Sequence, residues 1–184
     1  MLRRMDKTRE VAFYLDEAGP YLVRPNPGQK WTEEDKPWKI SSFWKTRGKV
    51  VVFGALKANP GKVYHHIDQS KGCKVMQKFI QRLANLYRHM SRIYLIWDNA
   101  KAHDAKHLTD WIRSWNGQGK VRFKVLPLPT YSPWLNPIEP VFGGLHRRVI
   151  AGSNFRWPSY MADAIHKYFR YRNYQIDNKH RTLN

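Results

Sequence analysis

The amino-acid sequence predicts an α/β fold, in which helices flank a mixed β-sheet whose first strands are antiparallel. Two observations support this prediction. Short apolar stretches typical of buried strands follow one another closely at the start of the chain, and helical and strand patterns alternate after them. The chain has 184 residues, of which 42% are hydrophobic. This is enough for one domain with a core of its own.

The first part of the chain is predicted to form consecutive strands. Four stretches combine β-branched, aromatic and other apolar residues: 11–15, 21–23, 49–56 and 62–67. Gly19 and Pro20 are expected to form the turn of a hairpin between the first two stretches. Because short connections favour antiparallel pairing, this part of the sheet is expected to be antiparallel.

Residues 24–49 are expected to form a long loop insertion. They show neither helical nor strand periodicity, and they contain several prolines together with Trp31, Trp38 and Trp44. Long loops in compact domains are often functional, which is one interpretation of this segment. The alternative is a mobile insertion whose tryptophans pack back on the domain.

The second part of the chain alternates helix and strand. Apolar residues recur at helical spacing in 71–90 and 105–115, and strands are predicted at 93–97 and 121–126. A last helix is predicted at 158–172. The strand at 93–97 is apolar throughout, which is typical of a central strand covered on both faces.

The charge of the chain indicates a polyanionic partner. Lys and Arg number 33 against 14 Asp and Glu, which gives a net charge of +19. Such a surface binds nucleic acid by releasing counterions, whereas a membrane surface is disfavoured because no segment is a basic amphipathic helix. A single cysteine, Cys73, excludes an internal disulfide. No apolar stretch has the length of a membrane span or the pattern of a signal peptide, so a cytoplasmic protein is expected.

Three acidic residues occupy positions where a carboxylate is expected to be partly desolvated and to need a cationic or metal partner. Asp16 and Asp98 each follow an apolar strand, and Glu139 lies at a predicted helix start. Desolvating a carboxylate is costly unless it is paired or holds a metal ion. If the first and central strands are neighbours, the carboxylates converge and suit two Mg²⁺ ions that clamp a phosphoryl group. The alternatives are structural: Asp98 caps the next helix, and Glu139 completes a capping box with Asn136.

Three motifs of the chain resemble those of a known enzyme family. They are LDEAG at 15–19, IWDNAKAH at 96–103 and LPTYSPWLNPIEPVF at 128–142. They are similar to the motifs of the catalytic domain of mariner-like DDE transposases, especially those of the bacterial insertion-sequence branch. The resemblance extends from Val11 to about Phe169, and its third motif is highly specific.

The resemblance implies an RNase H-like fold and a site that binds two Mg²⁺ or Mn²⁺ ions. The implied catalytic and metal-binding triad consists of Asp16, Asp98 and Glu139. Four further motif residues are expected to support the site: Glu17, Asn99, His103 and Asn136. Six basic residues are predicted to contact DNA: Lys101, Arg147, Arg148, Lys167, Arg170 and Arg172.

The expected activity is that of a metal-dependent DNA transposase. Such an enzyme cleaves phosphodiester bonds at the ends of a transposon and joins the 3′-hydroxyl ends to target DNA. One alternative is an RNase H-like nuclease that cuts without joining, and it shares the fold and the acids. The other is a DNA-binding transposase remnant without catalytic activity.

The chain departs from the family pattern in side chains and in one loop. Phe142 stands where the family usually has Trp, and His146 stands where Lys is common. The loop at 24–49 is long for this position. Because a loop here can clamp the partner subunit in mariner-like enzymes, a homodimer is expected.

The domain organisation also departs from the family pattern. Residues 1–10 are too short for the helix-turn-helix domain that precedes the catalytic domain in the family. The chain is therefore expected to be a single catalytic domain over 1–184, with a basic C-terminal tail at 170–184. A separate helix-turn-helix chain is a further candidate partner, and the expected location is the bacterial cytoplasm, at the nucleoid.

Overall fold

The structure is a computed structural model that describes most of the chain. The described residues are 5–28, 33, 35–36, 39, 45–97, 102–118, 121–129 and 133–181. The strands are β1 (Glu10–Leu22), β2 (Lys49–Lys57), β3 (Val63–Asp68), β4 (Arg92–Trp97) and β5 (Arg122–Pro127). The α-helices are α1 (Cys73–Leu86), α2 (Ala102–Asn116), α3 (Glu139–Leu145) and α4 (Pro158–Arg181). A 3₁₀ helix spans Pro133–Leu135, and a π-helix spans His146–Ile150.

The five strands form one mixed sheet in the order β3-β2-β1-β4-β5. β1 is parallel to β4, and β4 is parallel to β5. β1 and β2 are antiparallel, because the Ala58 N–H donates to the Ala12 carbonyl near one end while Gly19 lies against Val50 near the other. The sheet and its flanking helices confirm the predicted α/β class and the predicted antiparallel first strands.

The predicted hairpin turn at Gly19 and Pro20 is wrong, because β1 continues through both residues to Leu22. Gly19 has φ +100°, and a Cβ atom on it would lie 2.9 Å from the carbonyl oxygen of Val50. A glycine is therefore needed where the strand passes close to β2. Residues 21–22 extend β1 and do not form a return strand.

By internal packing, the chain divides into two compact units. The first comprises Met1–Glu17, Phe53–His66 and Lys71–Glu139, and the second comprises Ala18–Val52, Ile67–Ser70 and Pro140–Asn184. In the first unit, Phe13 lies edge-on to the rings of Tyr64 and Tyr87, with centroids 5.7 and 5.2 Å away. The same unit contains the described part of the predicted site.

The end of α2 is tied to β5 by side chains. Trp115 donates its indole N–H to the carbonyl of Val121 at 3.0 Å. Asn116 both accepts from and donates to the backbone of Phe123, at 2.8 and 2.9 Å. These bonds satisfy polar groups at the end of the helix and hold it on the edge strand of the sheet.

In the second unit, α4 is longer than the predicted helix 158–172. No Gly or Pro occurs between 159 and 181, so the sequence contains no signal that would stop the helix earlier. Much of the expected basic tail is therefore helical, and Met161, Ile165 and Phe169 form its buried face. Tyr168 donates to the Val141 carbonyl at 3.4 Å, and a Cβ atom on Gly144 would lie 2.7 Å from the Tyr168 hydroxyl. Gly144 thus makes room for α4 against α3.

The two stems of the 24–49 loop are held in the second unit. Asn26 donates its backbone N–H to the Ser153 carbonyl at 2.8 Å, and Gly152 donates to the Pro27 carbonyl at 3.1 Å. Val23 and the residues 47–48 exchange two backbone hydrogen bonds of 2.8 Å. Trp31, Trp38 and Trp44 lie outside the described residues, so the role of the loop stays a prediction.

The prediction of one catalytic domain over the whole chain also stays a prediction.

None of the helices in the described part of the chain has the length and hydropathy needed to cross a membrane.

Candidate active site

Asp16 is the first member of the site and lies in the middle of β1. Its neighbour Leu15 is fully buried, and because side chains alternate along a strand, Asp16 points to the opposite face. The Asp16 side chain is partly exposed, and one carboxylate oxygen accepts the backbone N–H of Glu17 at 2.7 Å. This bond fixes the orientation of the carboxyl group.

Glu139 is the first residue of α3, and its exposed side chain faces the carboxyl group of Asp16. Asn136 places it there. Its side chain is only 2% exposed and donates to the Leu15 carbonyl at 3.3 Å, one residue before Asp16. Ile138, which is fully buried, anchors the same segment. Asn136 therefore ties the third motif to β1, and its supporting role in the site stays a prediction.

The geometry differs from a capping box. The helix begins at Glu139 itself, and the Asn136 side-chain oxygen accepts from the Ile138 N–H at 3.5 Å. Pro140 is the second helical residue, where a missing N–H costs nothing because the first turn leaves those groups without partners. Glu139 is thus positioned at a helix start with its carboxylate directed to another acid.

The pKa of the Asp16 carboxyl is raised to about 7. Burial is the largest cause, since it penalises the charged form, and the negative charges of Glu139 and Glu17 add to the rise. The hydrogen bond from the Glu17 N–H acts in the opposite direction. Two carboxyl groups in such contact can share a proton, or both can be ionised when a cation lies between them.

Glu17 also contacts a basic residue that the sequence did not predict. Lys71 lies in the connection between β3 and α1, and its Nζ atom is 3.7 Å from a carboxylate oxygen of Glu17. The Glu17 side chain is 28% exposed and that of Lys71 is 46% exposed. A cationic side chain therefore pairs with the acid next to Asp16 in the sequence.

Several predicted site residues fall outside the described structure. Asp98, Asn99 and Lys101 lie outside the described residues, and of His103 only the position in α2 is described. Trp97, which precedes Asp98 in the sequence, pairs with Leu15, which precedes Asp16. Among the residues that are described, no group of three or more His, Cys, Asp or Glu side chains is placed to hold a metal ion.

The predicted DNA-contacting residues of the second unit differ in exposure. Arg147 and Arg148 are exposed on the π-helix, and Lys167 and Arg170 are exposed on α4. Arg172 is half-buried, and burial lowers the pKa of its guanidinium group while Tyr168 opposes that change. Arg172 follows the buried Phe169 by three residues, which places it on the side of the buried face of α4.

Comparison with known proteins gives a curated relative and several similar solved structures. The chain is 29% identical over 134 residues to the insertion element IS630 uncharacterized 39 kDa protein of Shigella sonnei. The matched residues are 73% of this chain. The match spans 37% of the relative, so this chain corresponds to a part of it.

Solved structures show the same fold. The Mos1 transposase paired-end complex with left transposon end has a TM-score of 0.60 at 18% identity, covering 92% of this chain and 50% of that one. The Mos1 mariner paired end complex with Mn has a TM-score of 0.59 at 17% identity, covering 95% and 52%. These likenesses confirm the predicted RNase H-like fold.

The family model of the DDE superfamily endonucleases matches residues 11–159, which include Asp16, Asp98 and Glu139. That range is most of the chain and agrees with the family that the three motifs resemble. The protein therefore belongs to the DDE superfamily endonucleases.

Proposed function

We propose that this chain is the catalytic part of a DNA transposase, which cleaves phosphodiester bonds at the ends of a mobile element and joins the 3′-hydroxyl ends to target DNA. The observation that carries the proposal is the contact between Asp16 and Glu139. Their carboxyl groups meet although the residues are distant in sequence, and the charges that act on Asp16 from Glu139 and Glu17 are both negative. Such an arrangement destabilises the ionised form of the site unless a proton or a cation joins the two carboxyl groups.

The residues fit Mg²⁺ or Mn²⁺. Carboxylate oxygens are the ligands that these hard cations prefer, and the partly buried carboxyl of Asp16 gains most from a neutralising ion. Asp16, Glu139 and Asp98 would hold the ions, since Leu15 and Trp97, which precede the two aspartates in the sequence, pair across β1 and β4. Two bound ions would stabilise the charge that develops on the phosphoryl group and favour deprotonation of the attacking hydroxyl.

The chain's own residues would organise the reaction around this cluster. The Glu17 N–H holds one oxygen of Asp16, and Asn136 holds the segment that carries Glu139, so both carboxylates are oriented before substrate arrives. A water oxygen attacks the phosphorus first and releases a 3′-hydroxyl. That hydroxyl then attacks a phosphodiester of the target strand in line, and the displaced oxygen takes up a proton.

The charge of the chain supports DNA as the substrate. A net charge of +19 over 184 residues favours a polyanion, and four of the predicted DNA-contacting residues are exposed. We propose that the enzyme acts as a homodimer on paired ends, in the bacterial cytoplasm at the nucleoid. Recognition of the end sequence is assigned to a helix-turn-helix segment, in the same polypeptide or in a separate chain.

The experiment that tests the proposal is a joining assay with purified protein, Mn²⁺ and supercoiled plasmid. A labelled oligonucleotide with an exposed 3′-hydroxyl serves as the donor, and both nicking and covalent joining are measured. Joining to plasmid is the expected result. Nicking without joining would identify an RNase H-like nuclease, and binding without either reaction would identify a non-catalytic remnant.

A matched pair of variants distinguishes the loss of a metal ligand from the loss of any aspartate charge. Asp98→Asn is expected to abolish cleavage while it leaves folding and DNA binding intact, because an amide is a weak ligand for a hard cation. Asp110→Asn is the control, since Asp110 is exposed on α2 and pairs with Arg113. Full activity of the Asp98 variant would remove this residue from the triad.

A further inference from the structure

Trp134 is an exposed aromatic side chain that is close in sequence to Glu139 of the candidate site. It is 76% exposed and lies in the 3₁₀ helix Pro133–Leu135, five residues before Glu139. Leu135 beside it is 47% exposed. Large apolar side chains in such positions often serve for binding, because exposing them to water is unfavourable.

The backbone that carries Trp134 is fixed on the first unit. Asn136, two residues later, is 2% exposed and bonded to the Leu15 carbonyl, and Ile138 is fully buried. The same segment continues directly into Glu139, which faces Asp16. The indole is therefore held on a short, anchored support whose other end carries a proposed metal ligand.

We propose that Trp134 stacks on a nucleobase beside the scissile phosphate and so positions the DNA strand at Asp16 and Glu139. The inference rests on the proposed function, because it takes DNA as the molecule bound at the site. Every base has a π-face, so stacking on an indole tolerates any sequence. This suits a catalytic domain that must act on ends and on variable target DNA.

A base fits the exposed patch better than a protein partner does. A stable protein interface buries about 800 Å² on each partner. Among the described side chains of the 3₁₀ helix, Trp134 and Leu135 are exposed, and together they are a small part of such an area. One indole face matches one base, and the segment that carries Trp134 runs directly into Glu139, a proposed metal ligand. A base next to a cleavage point is also less constrained by stacking when the duplex is interrupted there.

The test uses duplexes with a short 3′ extension in which 2-aminopurine replaces one base at a time near the junction. Binding is measured by fluorescence with Ca²⁺ in place of Mg²⁺, so that no cleavage occurs. Wild-type protein is expected to change the 2-aminopurine signal at one or two adjacent positions. Trp134→Ala is expected to lose that change and to weaken binding about tenfold, because the stacking of one base is lost.

Two further variants make the result specific. Trp134→Phe is expected to restore most of the signal because it keeps an aromatic face. Trp157→Ala is the control, since Trp157 is also an exposed tryptophan, at 50%, but lies in the other unit. The slope of log Kd against log salt is expected to be unchanged in Trp134→Ala, because stacking releases no counterions.

The proposal is overturned if Trp134→Ala keeps both the wild-type signal and the wild-type affinity. It is also overturned if the variant changes only the oligomeric state, measured by light scattering, because a protein contact would then cover the indole. Wild-type protein that binds DNA with the expected signal but never cleaves it in Mn²⁺ would refute the proposed transposase and support the stacking.

Discussion

Two acids on β1 have opposite environments. Glu10 at the start of the strand accepts from Arg92 at 3.0 Å and from the Tyr94 hydroxyl at 3.3 Å, both on the neighbouring strand β4. Asp16, six residues later, faces the carboxylate of Glu139. Both acids are partly buried in the same strand.

The contrast distinguishes an acid that stabilises the fold from one whose environment favours binding of a cation. Glu10 joins two strands through a local ion pair, so its charge is neutralised within the protein. Burial and a like charge disfavour the ionised form of Asp16, so its neutralisation must come from a proton or from a bound cation. Changing each acid separately therefore tests the assignment.

The largest expected effect is on catalysis. Asp16→Asn and Glu139→Gln should each lower the rate of Mn²⁺-dependent cleavage by about 10³-fold or more, because metal-bound charge stabilisation contributes several kcal/mol. Glu10→Gln should leave the rate nearly unchanged. Plasmid nicking with equal amounts of folded protein provides the measurement, and equal losses in all three variants would contradict the comparison.

The next effect is on stability in the absence of metal. The pKa of Asp16 is raised in the folded state from 3.8 to about 7, so the folded protein holds the proton more tightly than the unfolded chain. The tighter proton binding by folded Asp16 adds to the free energy of unfolding at pH values below 3.8. This contribution is lost as pH rises from 3.8 through about 7. In EDTA, Asp16→Asn should therefore melt higher than wild type at about pH 8, with little difference at about pH 4.

Thermal unfolding followed by circular dichroism measures this difference. Each 1 kcal/mol recovered corresponds to a rise of about 2–4 °C in Tm for a chain of this size. Adding Mg²⁺ at the higher pH should raise the Tm of wild type, and it should raise that of Asp16→Asn much less. A variant that melts lower than wild type throughout this pH range would show that Asp16 stabilises the metal-free fold.

A smaller effect is expected at the other acid. Glu10→Gln should lower the free energy of unfolding by about 1 kcal/mol, since the pair with Arg92 is partly exposed and the Tyr94 hydroxyl keeps an acceptor. Urea titration at neutral pH measures the loss. The change should be independent of Mg²⁺, and a Mg²⁺-dependent loss would place Glu10 in the metal site.

The smallest effect concerns the basic residues of α4. Lys167→Gln should reduce the slope of log K against log salt by about 0.9 if the exposed side chain contacts one phosphate. Arg172→Gln should leave the slope unchanged and should lower stability, because the Arg172 side chain is half-buried beside Tyr168. Fluorescence anisotropy with one duplex at several salt concentrations tests both, and a lower slope only in the Arg172 variant would reverse the assignment.

The sequence predicted those features that a local pattern determines. The apolar face of α1 and the apolar strand β4 were predictable because burial repeats at the period of each element. The predicted site required the first strand and β4 to be neighbours, and the parallel register of β1 and β4 meets this condition. The first strand was expected to end before Asp16, but β1 continues to Leu22.

The features that were not predictable depend on contacts between segments that are distant in sequence. Gly19 and Pro20 have the composition of a turn, and only the closeness of β2 shows that the glycine serves a continuous strand. The contact of Lys71 with Glu17 depends on the path of the loop between β3 and α1, for which no motif exists. The exposure of Trp134 could not be inferred either, since an aromatic residue among prolines is equally compatible with a buried position.

The central claim is that Asp16 and Glu139 bind a divalent cation, whereas Glu10 does not. The most direct measurement is Mn²⁺ binding by electron paramagnetic resonance, with DNA present and at neutral pH. Wild type and Glu10→Gln should bind about two Mn²⁺ ions per chain, and Asp16→Asn and Glu139→Gln should each lose at least one of them. Equal Mn²⁺ binding by wild type and Asp16→Asn would contradict the account.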